Sequence, residues 1–414
     1  KAREDYLLRH EIPFPHLNRL EGRPVKPSAL YERLKARGAV FEEVFGWERP
    51  RFFAREGVAQ HDHYGFTRTA WHDAVGAECR SVQEAAGIMD ISAFTKVEVA
   101  GPGAAAFLEG LIPNRLPSQP GRIALTHLLT DRGRIELETT VVRLAEDRFY
   151  LVCAAFFEQR LMDYLGHRAP QGVTLTNRSS AWGALALNGP RAREILSQCT
   201  PAPLDNGAFP WLRAQEISIA GQSVWAFRMS YAGELGWEFH MEAGAMLPVY
   251  DALMAAGAPL GLSDYGSFAM NAMRMEKAFK GAGELTNEVT LAEADVLRFV
   301  RKEKSFPGSA ETQEAPRFLC AYLEIDGDGV NDGHGGEAVF VGARQIGLTA
   351  SVAFGHRVGK LLAFAFLAPE HASPGTELEV MVMGSRRPAR ILAEPAYDPA
   401  NALPRTEAAP LAAE

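Results

Sequence analysis

The sequence predicts an α+β protein with two related α/β lobes followed by a C-terminal β-barrel. Two observations lead to this fold class. Strand patterns and amphipathic helix patterns alternate from about residue 70 to residue 315, and similar strand–helix arrangements occur at 95–165 and 180–255. From residue 316 onward, short apolar strands are separated by glycines without clear helices, a pattern typical of a small barrel or sandwich.

The N-terminal segment, residues 1–70, is rich in proline, arginine and aromatic residues. It carries one short helix pattern at 29–38, which ends at Gly38. Because one short helix provides too few apolar residues for a core of its own, we expect the segment to pack on another domain. Its first residues lack the apolar stretch of a signal peptide, which predicts a cytoplasmic location.

Residues 71–315 carry the two lobes, and residues 316–398 carry the barrel. In the lobes, strand patterns occur at 95–100, 134–144, 148–155, 223–231 and 236–242. Helix patterns occur at 103–112, 155–168, 189–199, 246–257 and 265–281. The barrel strands are expected within 318–327, 337–355, 360–368 and 377–384, and residues 399–414 are expected to form a disordered tail.

Composition excludes several classes of protein. The chain has 414 residues, of which 47% are hydrophobic and 23% charged, as in a globular protein of two or three domains. The net charge of −8 argues against a nucleic-acid binder, which needs a positive surface. The apolar stretch at 243–262 is interrupted by Pro248, Asp251 and Pro259, so no membrane span is expected.

Neither a metal site nor a dinucleotide site is predicted. The four cysteines form no CxxC pair, and the His61–Asp62–His63 motif is weak evidence for a metal. The turn at 101–106 has the glycine spacing of a dinucleotide fingerprint, but no acidic residue follows about 20 positions later to hold a ribose. Pro102 also removes a backbone donor there, so we expect an ordinary strand-to-helix turn.

Several segments together resemble the glycine-cleavage T-protein (aminomethyltransferase) family. They include GIMDISAFTKVEVAGPGAAAFLEGL (87–111), LTDRGRIELETTVVRL (129–144), SYAGELGWEFHM (230–241), MRMEKAFKGAGEL (273–285) and the segment 342–366, and they occur in family order. The N-terminal stretches 5–16 and 26–53 resemble the segment that joins the flavin and folate parts of dimethylglycine and sarcosine dehydrogenases and oxidases. The chain thus resembles the C-terminal, folate-binding half of such an enzyme.

This resemblance implies a fold and a function. The two lobes and the barrel would form a three-leaf arrangement with tetrahydrofolate in its central opening. The implied activity traps the methylene or iminium group from oxidative demethylation of a small N-methyl amine and gives 5,10-methylenetetrahydrofolate. FAD would belong only to a flavin oxidoreductase domain or subunit outside this chain. If the source is eukaryotic, the mitochondrial matrix is the expected compartment.

Two other functions are compatible with the sequence. One is a stand-alone folate-dependent demethylase or methyltransferase that acts without flavin. The other is a non-enzymatic folate-binding scaffold or assembly factor. The family branch with that role carries a KGCYxGQE-like segment, whereas residues 280–287 read KGAGELTN and lack the cysteine.

The resemblance also implies roles for three residues. Glu138 occupies the place of the family's essential aspartate, so it is the candidate catalytic residue. Glu136 shares its strand face and is expected to be a surface carboxylate. Glu234 is the candidate that accepts hydrogen bonds from the amidine-like edge of the pterin. Tyr231 is expected to be its neighbour, either packing against the ring or forming a hydrogen bond.

Two arginines complete the predicted site. Arg228 and Arg274 are candidate partners for the folate carboxylates or for carboxylates of the site, because the planar guanidinium group suits either.

Overall fold

The computed structural model describes residues 1–12, 14–54, 65–69, 71–311 and 314–407. Its eight α-helices are α1 (Ala2–Leu8), α2 (Tyr31–Ala36), α3 (Trp71–Glu84), α4 (Ala104–Leu111), α5 (Glu158–Gly166), α6 (Ala192–Ser197), α7 (Met246–Gly257) and α8 (Ser267–Glu276). Short 3₁₀ turns occur at Ala155–Phe157, Ala243–Ala245, Ala258–Leu260, Leu297–Phe299, Pro369–His371 and Leu403–Arg405.

The strands form one hairpin, two larger sheets and a barrel. In chain order they are β1 (Ala39–Val44), β2 (Trp47–Phe53), β3 (Ala86–Asp90), β4 (Thr95–Ala100), β5 (Ile123–Leu129), β6 (Ile135–Ala145), β7 (Arg148–Cys153), β8 (Thr174–Asn177), β9 (Trp182–Asn188), β10 (Ala214–Ile219), β11 (Gln222–Phe227), β12 (Gly236–Glu242), β13 (Leu262–Asp264), β14 (Leu319–Ile325), β15 (Ala338–Val341), β16 (Arg344–Gly355), β17 (Lys360–Leu367), β18 (Glu377–Val382) and β19 (Ser385–Ile391).

The first lobe is an antiparallel sheet with the strand order β5-β6-β7-β4-β8. One face packs against α4 and α5, where Leu137 and Val141 of β6 join Leu108 and Leu161 in a buried core. Since side chains alternate along a strand, the intervening residues of β6 face the other side of the sheet. Glu138 lies on that second face.

The second lobe is a six-stranded sheet with the order β10-β11-β12-β9-β3-β13, in which β13 runs parallel to β3. Its core includes Trp237 and Phe239 of β12 together with side chains of α6 and α7. Leu30, Leu34 and Phe41 belong to the same core. The helix α2 and hairpin β1–β2 of the N-terminal segment therefore contribute to this lobe.

The C-terminal module is a closed six-stranded barrel, so the predicted α+β fold class with a terminal barrel is confirmed. Its strand order is β14-β17-β16-β15-β18-β19. Helix α8 connects it to the lobes, because Tyr322 of β14 donates a hydrogen bond to the carbonyl of Met275 at 2.7 Å. The carboxylate of Glu276 also accepts the backbone N–H of Arg357 at 2.6 Å, in the turn between β16 and β17.

The chain after the barrel returns to the second lobe. The backbone N–H of Tyr397 donates to the carbonyl of Glu276, and Asn206 donates to the carbonyl of Arg405. The part of the expected tail up to residue 407 is thus held by hydrogen bonds, while 408–414 and the His61–His63 motif lie outside the described residues. In the described part of the chain, no helix is long and apolar enough to cross a membrane.

Candidate functional site

Glu138 is a partly accessible carboxylate at the centre of β6. About 27% of its side chain is exposed, and His127 lies directly opposite it on β5. The Nε2 atom of His127 is 3.5 Å from Oε1 of Glu138. Glu136, two residues earlier, instead forms an ion pair with Arg160 at 3.0 Å. Of the two carboxylates on this strand face, only Glu136 is paired with an arginine in the described residues.

Tyr231 belongs to the loop 228–235, which connects β11 to β12. Its hydroxyl donates to the carbonyl of Lys280 at 3.0 Å, and its ring stacks on Phe279 with centroids 6.0 Å apart. Burial raises the pKa of Tyr231 strongly, the positive charge of Arg274 lowers it, and the negative charge of Glu138 raises it. Tyr231 and Arg274 lie close together, because a Cβ atom at Gly281 would be 3.0 Å from the Tyr231 hydroxyl and 3.8 Å from the guanidinium carbon of Arg274.

Arg274 lies near the end of α8 in a buried ion pair. Its Nη1 donates to Oε2 of Glu284 and to the carbonyl of Phe279, both at 3.0 Å. The backbone N–H of Gly281 donates to the same carboxylate oxygen at 2.8 Å. The other oxygen of Glu284 is buried and has no hydrogen-bond partner among the described residues. Arg274 therefore holds the turn 277–284 against α8.

Glu234 is almost fully buried beneath the chain that follows the barrel. Only 3% of the residue is exposed, and the hydroxyl of Tyr397 donates to its Oε1 at 3.0 Å. Burial raises the pKa of Glu234 to about 8, against the lowering effects of the Tyr397 hydrogen bond and the Lys277 charge. Lys277 in turn donates to Asp398 at 2.6 Å.

Gly233 is required by this packing. It has a φ of +83°, and a Cβ atom there would lie 2.4 Å from the side chain of Lys277. The close approach of Lys277 therefore depends on the absence of a side chain at this position.

Arg228 contacts a different set of residues. It is fully buried, donates to the carbonyl of Phe209 at 2.6 Å and to that of Thr406 at 3.4 Å, and lies over the ring of Trp237. Burial and the neighbouring charge of Arg193 lower its pKa to about 10. Among the predicted site residues, the structure thus brings Tyr231 and Arg274 together beside Gly281, and the charge of Glu138 acts on Tyr231. Arg228 instead contacts Phe209 and Thr406.

Glu238 is a further partly exposed carboxylate, and it lies on β12. It lies between the core residues Trp237 and Phe239 of β12, so its side chain faces away from that core. About 16% of the side chain is exposed, and Nε2 of His240 is 3.3 Å from its Oε2. In the sequence, Glu238 alternates with the aromatic residues Trp237 and Phe239, and this alternation indicates that it lies on the opposite face of the strand.

Aromatic and polar side chains surround Tyr231 and Glu138. Tyr231 and Phe279 supply an aromatic surface, and Glu138 supplies an accessible acceptor. Both ring nitrogens of His127 and Oε1 of Glu284 are buried and have no hydrogen-bond partner among the described residues. In the same residues, no group of three or more His, Cys, Asp or Glu side chains is arranged to hold a metal ion.

Comparisons with known proteins agree with this architecture. The model of the GCVT N-terminal domain matches residues 30–304, and that of the glycine cleavage T-protein C-terminal barrel domain matches residues 319–398. Glycine cleavage system aminomethyltransferase T from Bartonella henselae superposes with a TM-score of 0.78 over 91% of this chain and 99% of that one, at 23% identity, which supports the fold.

Curated relatives are longer than this chain. Human mitochondrial dimethylglycine dehydrogenase is 31% identical over 95% of this chain and 46% of its own length. The formaldehyde-forming 4-methylaminobutanoate oxidase of Paenarthrobacter nicotinovorans is 30% identical over 94% of this chain and 48% of its own length. The chain therefore spans about half the length of these relatives.

The matches cover both the lobes and the barrel, and they confirm the resemblance that the sequence motifs indicate. The mixed architecture with its closed barrel agrees with the same assignment. This chain belongs to the glycine cleavage T-protein family of folate-dependent aminomethyltransferases and is related to dimethylglycine and sarcosine dehydrogenases.

Proposed function

We propose that this chain is the tetrahydrofolate-binding, one-carbon transfer part of an N-methyl amine dehydrogenase or oxidase. The observation that carries the proposal is Glu138, a partly accessible carboxylate without an arginine partner in the described residues, whose charge acts on Tyr231. Relatives named for oxidation of dimethylglycine, sarcosine and 4-methylaminobutanoate support an N-methyl amine as the carbon source. The flavin that oxidises this amine belongs to a domain or subunit outside the chain.

The chemistry requires a base and a stabiliser of positive charge beside the bound folate. When bound, tetrahydrofolate supplies two amine nitrogens that take the methylene carbon of the iminium as a bridge, and their two protons leave on the released amine. Glu138 is suited to both tasks, because a carboxylate stabilises a nearby cation and moves protons between nitrogens. Tyr231 and Phe279 provide a flat surface that orients the ring system.

Recognition of the pterin edge is assigned to a carboxylate of the loop 228–235 or of β12. Glu234 is the residue that the family motif predicts, and it accepts a hydrogen bond from Tyr397. Glu238 is the second candidate, since a larger fraction of its surface is accessible. A pterin offers adjacent N–H and NH₂ donors, which a carboxylate accepts as a bidentate pair.

The experiment compares Glu138→Gln with Glu136→Gln. The amide at 138 keeps the shape of the side chain but removes its charge and basicity, so we expect tetrahydrofolate to bind while methylene transfer slows by about 100-fold. The matched change at 136 lies on the same strand face and affects only the ion pair with Arg160. Binding is measured by calorimetry on the chain, and transfer is measured as 5,10-methylenetetrahydrofolate formed with its flavin partner and dimethylglycine.

Two results would contradict the proposal. If calorimetry detects no binding of tetrahydrofolate, the folate function is wrong. If Glu138→Gln transfers the methylene group as fast as Glu136→Gln and the parent protein, Glu138 has no part in the mechanism. Full activity of the chain without any flavin partner would instead favour a stand-alone folate-dependent demethylase.

A further inference from the structure

His127 is buried beside Glu138 and has no role in the proposed chemistry so far. It is completely buried, and the described residues offer no hydrogen-bond partner to either ring nitrogen. Such a side chain is costly, because burying an imidazole without partners sacrifices the hydrogen bonds it makes in water. A buried polar group of this kind calls for an explanation.

The position of His127 on the sheet supplies that explanation. It is the register partner of Glu138 across the antiparallel pair β5–β6, so the two side chains lie next to each other on one face. Its ring packs against Phe299 on one side, with centroids 5.6 Å apart, and its Nε2 faces Oε1 of Glu138 at 3.5 Å. His127 thus lies beside the carboxylate on the same face of the sheet.

The chemistry of the pair selects one tautomer of the imidazole. A neutral ring carries a single N–H, and the nitrogen without it presents a lone pair. A lone pair on Nε2 would repel the carboxylate oxygen, whereas an N–H on Nε2 attracts it. Shortening the gap by about 0.5 Å gives a normal N–H···O hydrogen bond.

We propose that His127 is the positioning residue for Glu138: its Nε2–H donates to Oε1 and fixes the orientation of the carboxylate. Of the charged groups in the described residues, Glu138 is the one within ion-pair distance of His127. Arg274 and Glu284 form their own pair near Tyr231. The inference rests on the proposed function only for the claim that Glu138 is the base in methylene transfer.

The test uses a pair of His127 variants and a measurement that needs no folate. His127→Leu removes both nitrogens, while His127→Gln keeps an N–H close to the position of Nε2. The hydrogen bond is followed at constant pH through the side-chain carboxyl ¹³C resonance of Glu138, which Glu138→Gln identifies. We expect His127→Leu to shift this resonance, because the carboxylate loses its donor, and His127→Gln to leave it near its position in the parent protein.

If the leucine variant fails to fold, His127→Asn takes its place, because asparagine offers an N–H near Nδ1 and none near Nε2. An unchanged Glu138 carboxyl resonance in folded His127→Leu or His127→Asn overturns the proposal. A second readout is the transfer rate, which should fall about tenfold in these variants with little change in folate affinity. Failure of folate binding would refute the proposed function, yet the NMR result would still decide whether His127 positions Glu138.

Discussion

At the residue scale, Glu234 illustrates how burial alters the chemistry of a carboxyl group. The side chain lies beneath Tyr397, and burial raises its pKa to about 8. Near neutral pH it therefore holds a proton for most of the time. A protonated carboxyl can accept from Tyr397 through its carbonyl oxygen, but it is a poorer bidentate acceptor for a pterin than a carboxylate.

The raised pKa of Glu234 predicts a pH-dependent stability. Its ordinary pKa is 4.5 and its value in the folded protein is about 8, so the folded state binds the extra proton between these values. The free energy of unfolding should fall as pH rises through this window, by about 1.4 kcal/mol per unit of pKa difference and thus by a few kcal/mol in all. Glu234→Gln has no titrating group at this position, so the free energy of unfolding of this variant should fall less over the same pH range.

Urea denaturation of the parent and Glu234→Gln at about pH 5 and about pH 9 checks this prediction. Glu238→Gln is the matched control, because it changes an accessible carboxyl of the adjacent strand. Identical pH dependence in the parent and Glu234→Gln would contradict the prediction.

The local environment of these carboxyl groups was only partly predictable from the sequence. The alternation of β6 indicates that Glu136 and Glu138 share a face, and the structure places them on the face opposite the buried core. The contact between Glu234 and Tyr397 spans 163 residues of sequence and leaves no local pattern. The same applies to Arg228, whose contact with Thr406 spans 178 residues.

At the element scale, the end of α8 shapes the candidate site. The sequence pattern predicts a helix over 265–281, whereas the helix ends at Glu276. Ala278 has a φ of +51°, and the backbone N–H of Phe279 donates to the carbonyl of Arg274, a geometry typical of a helix C-terminus. This early end places Phe279 and Gly281 in a turn beside Tyr231, a consequence that periodicity alone does not reveal.

The strand β12 and its preceding loop offer the pterin two different carboxyl groups. Glu238 lies on the sheet face opposite the core, whereas Glu234 is enclosed by the loop and Tyr397. Because charge-assisted hydrogen bonds contribute about 1.5–3 kcal/mol each, we expect Glu238→Gln to weaken tetrahydrofolate binding by at least about tenfold. We expect Glu234→Gln to weaken it by less than about threefold, because its carboxyl is already mostly protonated.

Calorimetric titration of both variants with tetrahydrofolate decides between the two residues, and thermal unfolding verifies that each variant is folded. A large loss of affinity in Glu234→Gln with none in Glu238→Gln would assign pterin recognition to Glu234. Normal affinity in both would exclude these two carboxyl groups from recognition.

At the scale of the whole molecule, the sequence predicts the parts better than their association. The lobes and the barrel are each apparent from strand and helix periodicity, and the closed barrel is confirmed. Their association rests on an apolar cluster of Met275 with barrel residues and on hydrogen bonds such as those of Met275 and Glu276 with the barrel. Individual hydrogen bonds between distant segments have no periodicity, so the sequence does not predict them.

The chain from Tyr397 to Glu407 completes this association by crossing the second lobe. Tyr397 contacts Glu234, Asp398 contacts Lys277, and the carbonyl of Thr406 accepts from Arg228. Pro404 is buried.

Removing all residues after Ala400 would take away the Thr406 carbonyl and leave the buried guanidinium group of Arg228 with fewer hydrogen-bond partners. Since an unsatisfied buried polar group costs about 1–3 kcal/mol, we expect the free energy of unfolding to fall by at least that amount.

Truncation after Glu407 is the control for this prediction, because it keeps each of these contacts. Denaturation in urea gives the stability of both truncated proteins, and amide hydrogen exchange near Phe209, whose carbonyl also accepts from Arg228, reports on local opening. Faster exchange there in the shorter protein alone is the expected result. Equal stability and exchange in both would mean that residues 401–407 behave as the disordered tail that the sequence predicts, and that Arg228 is held by the second lobe alone.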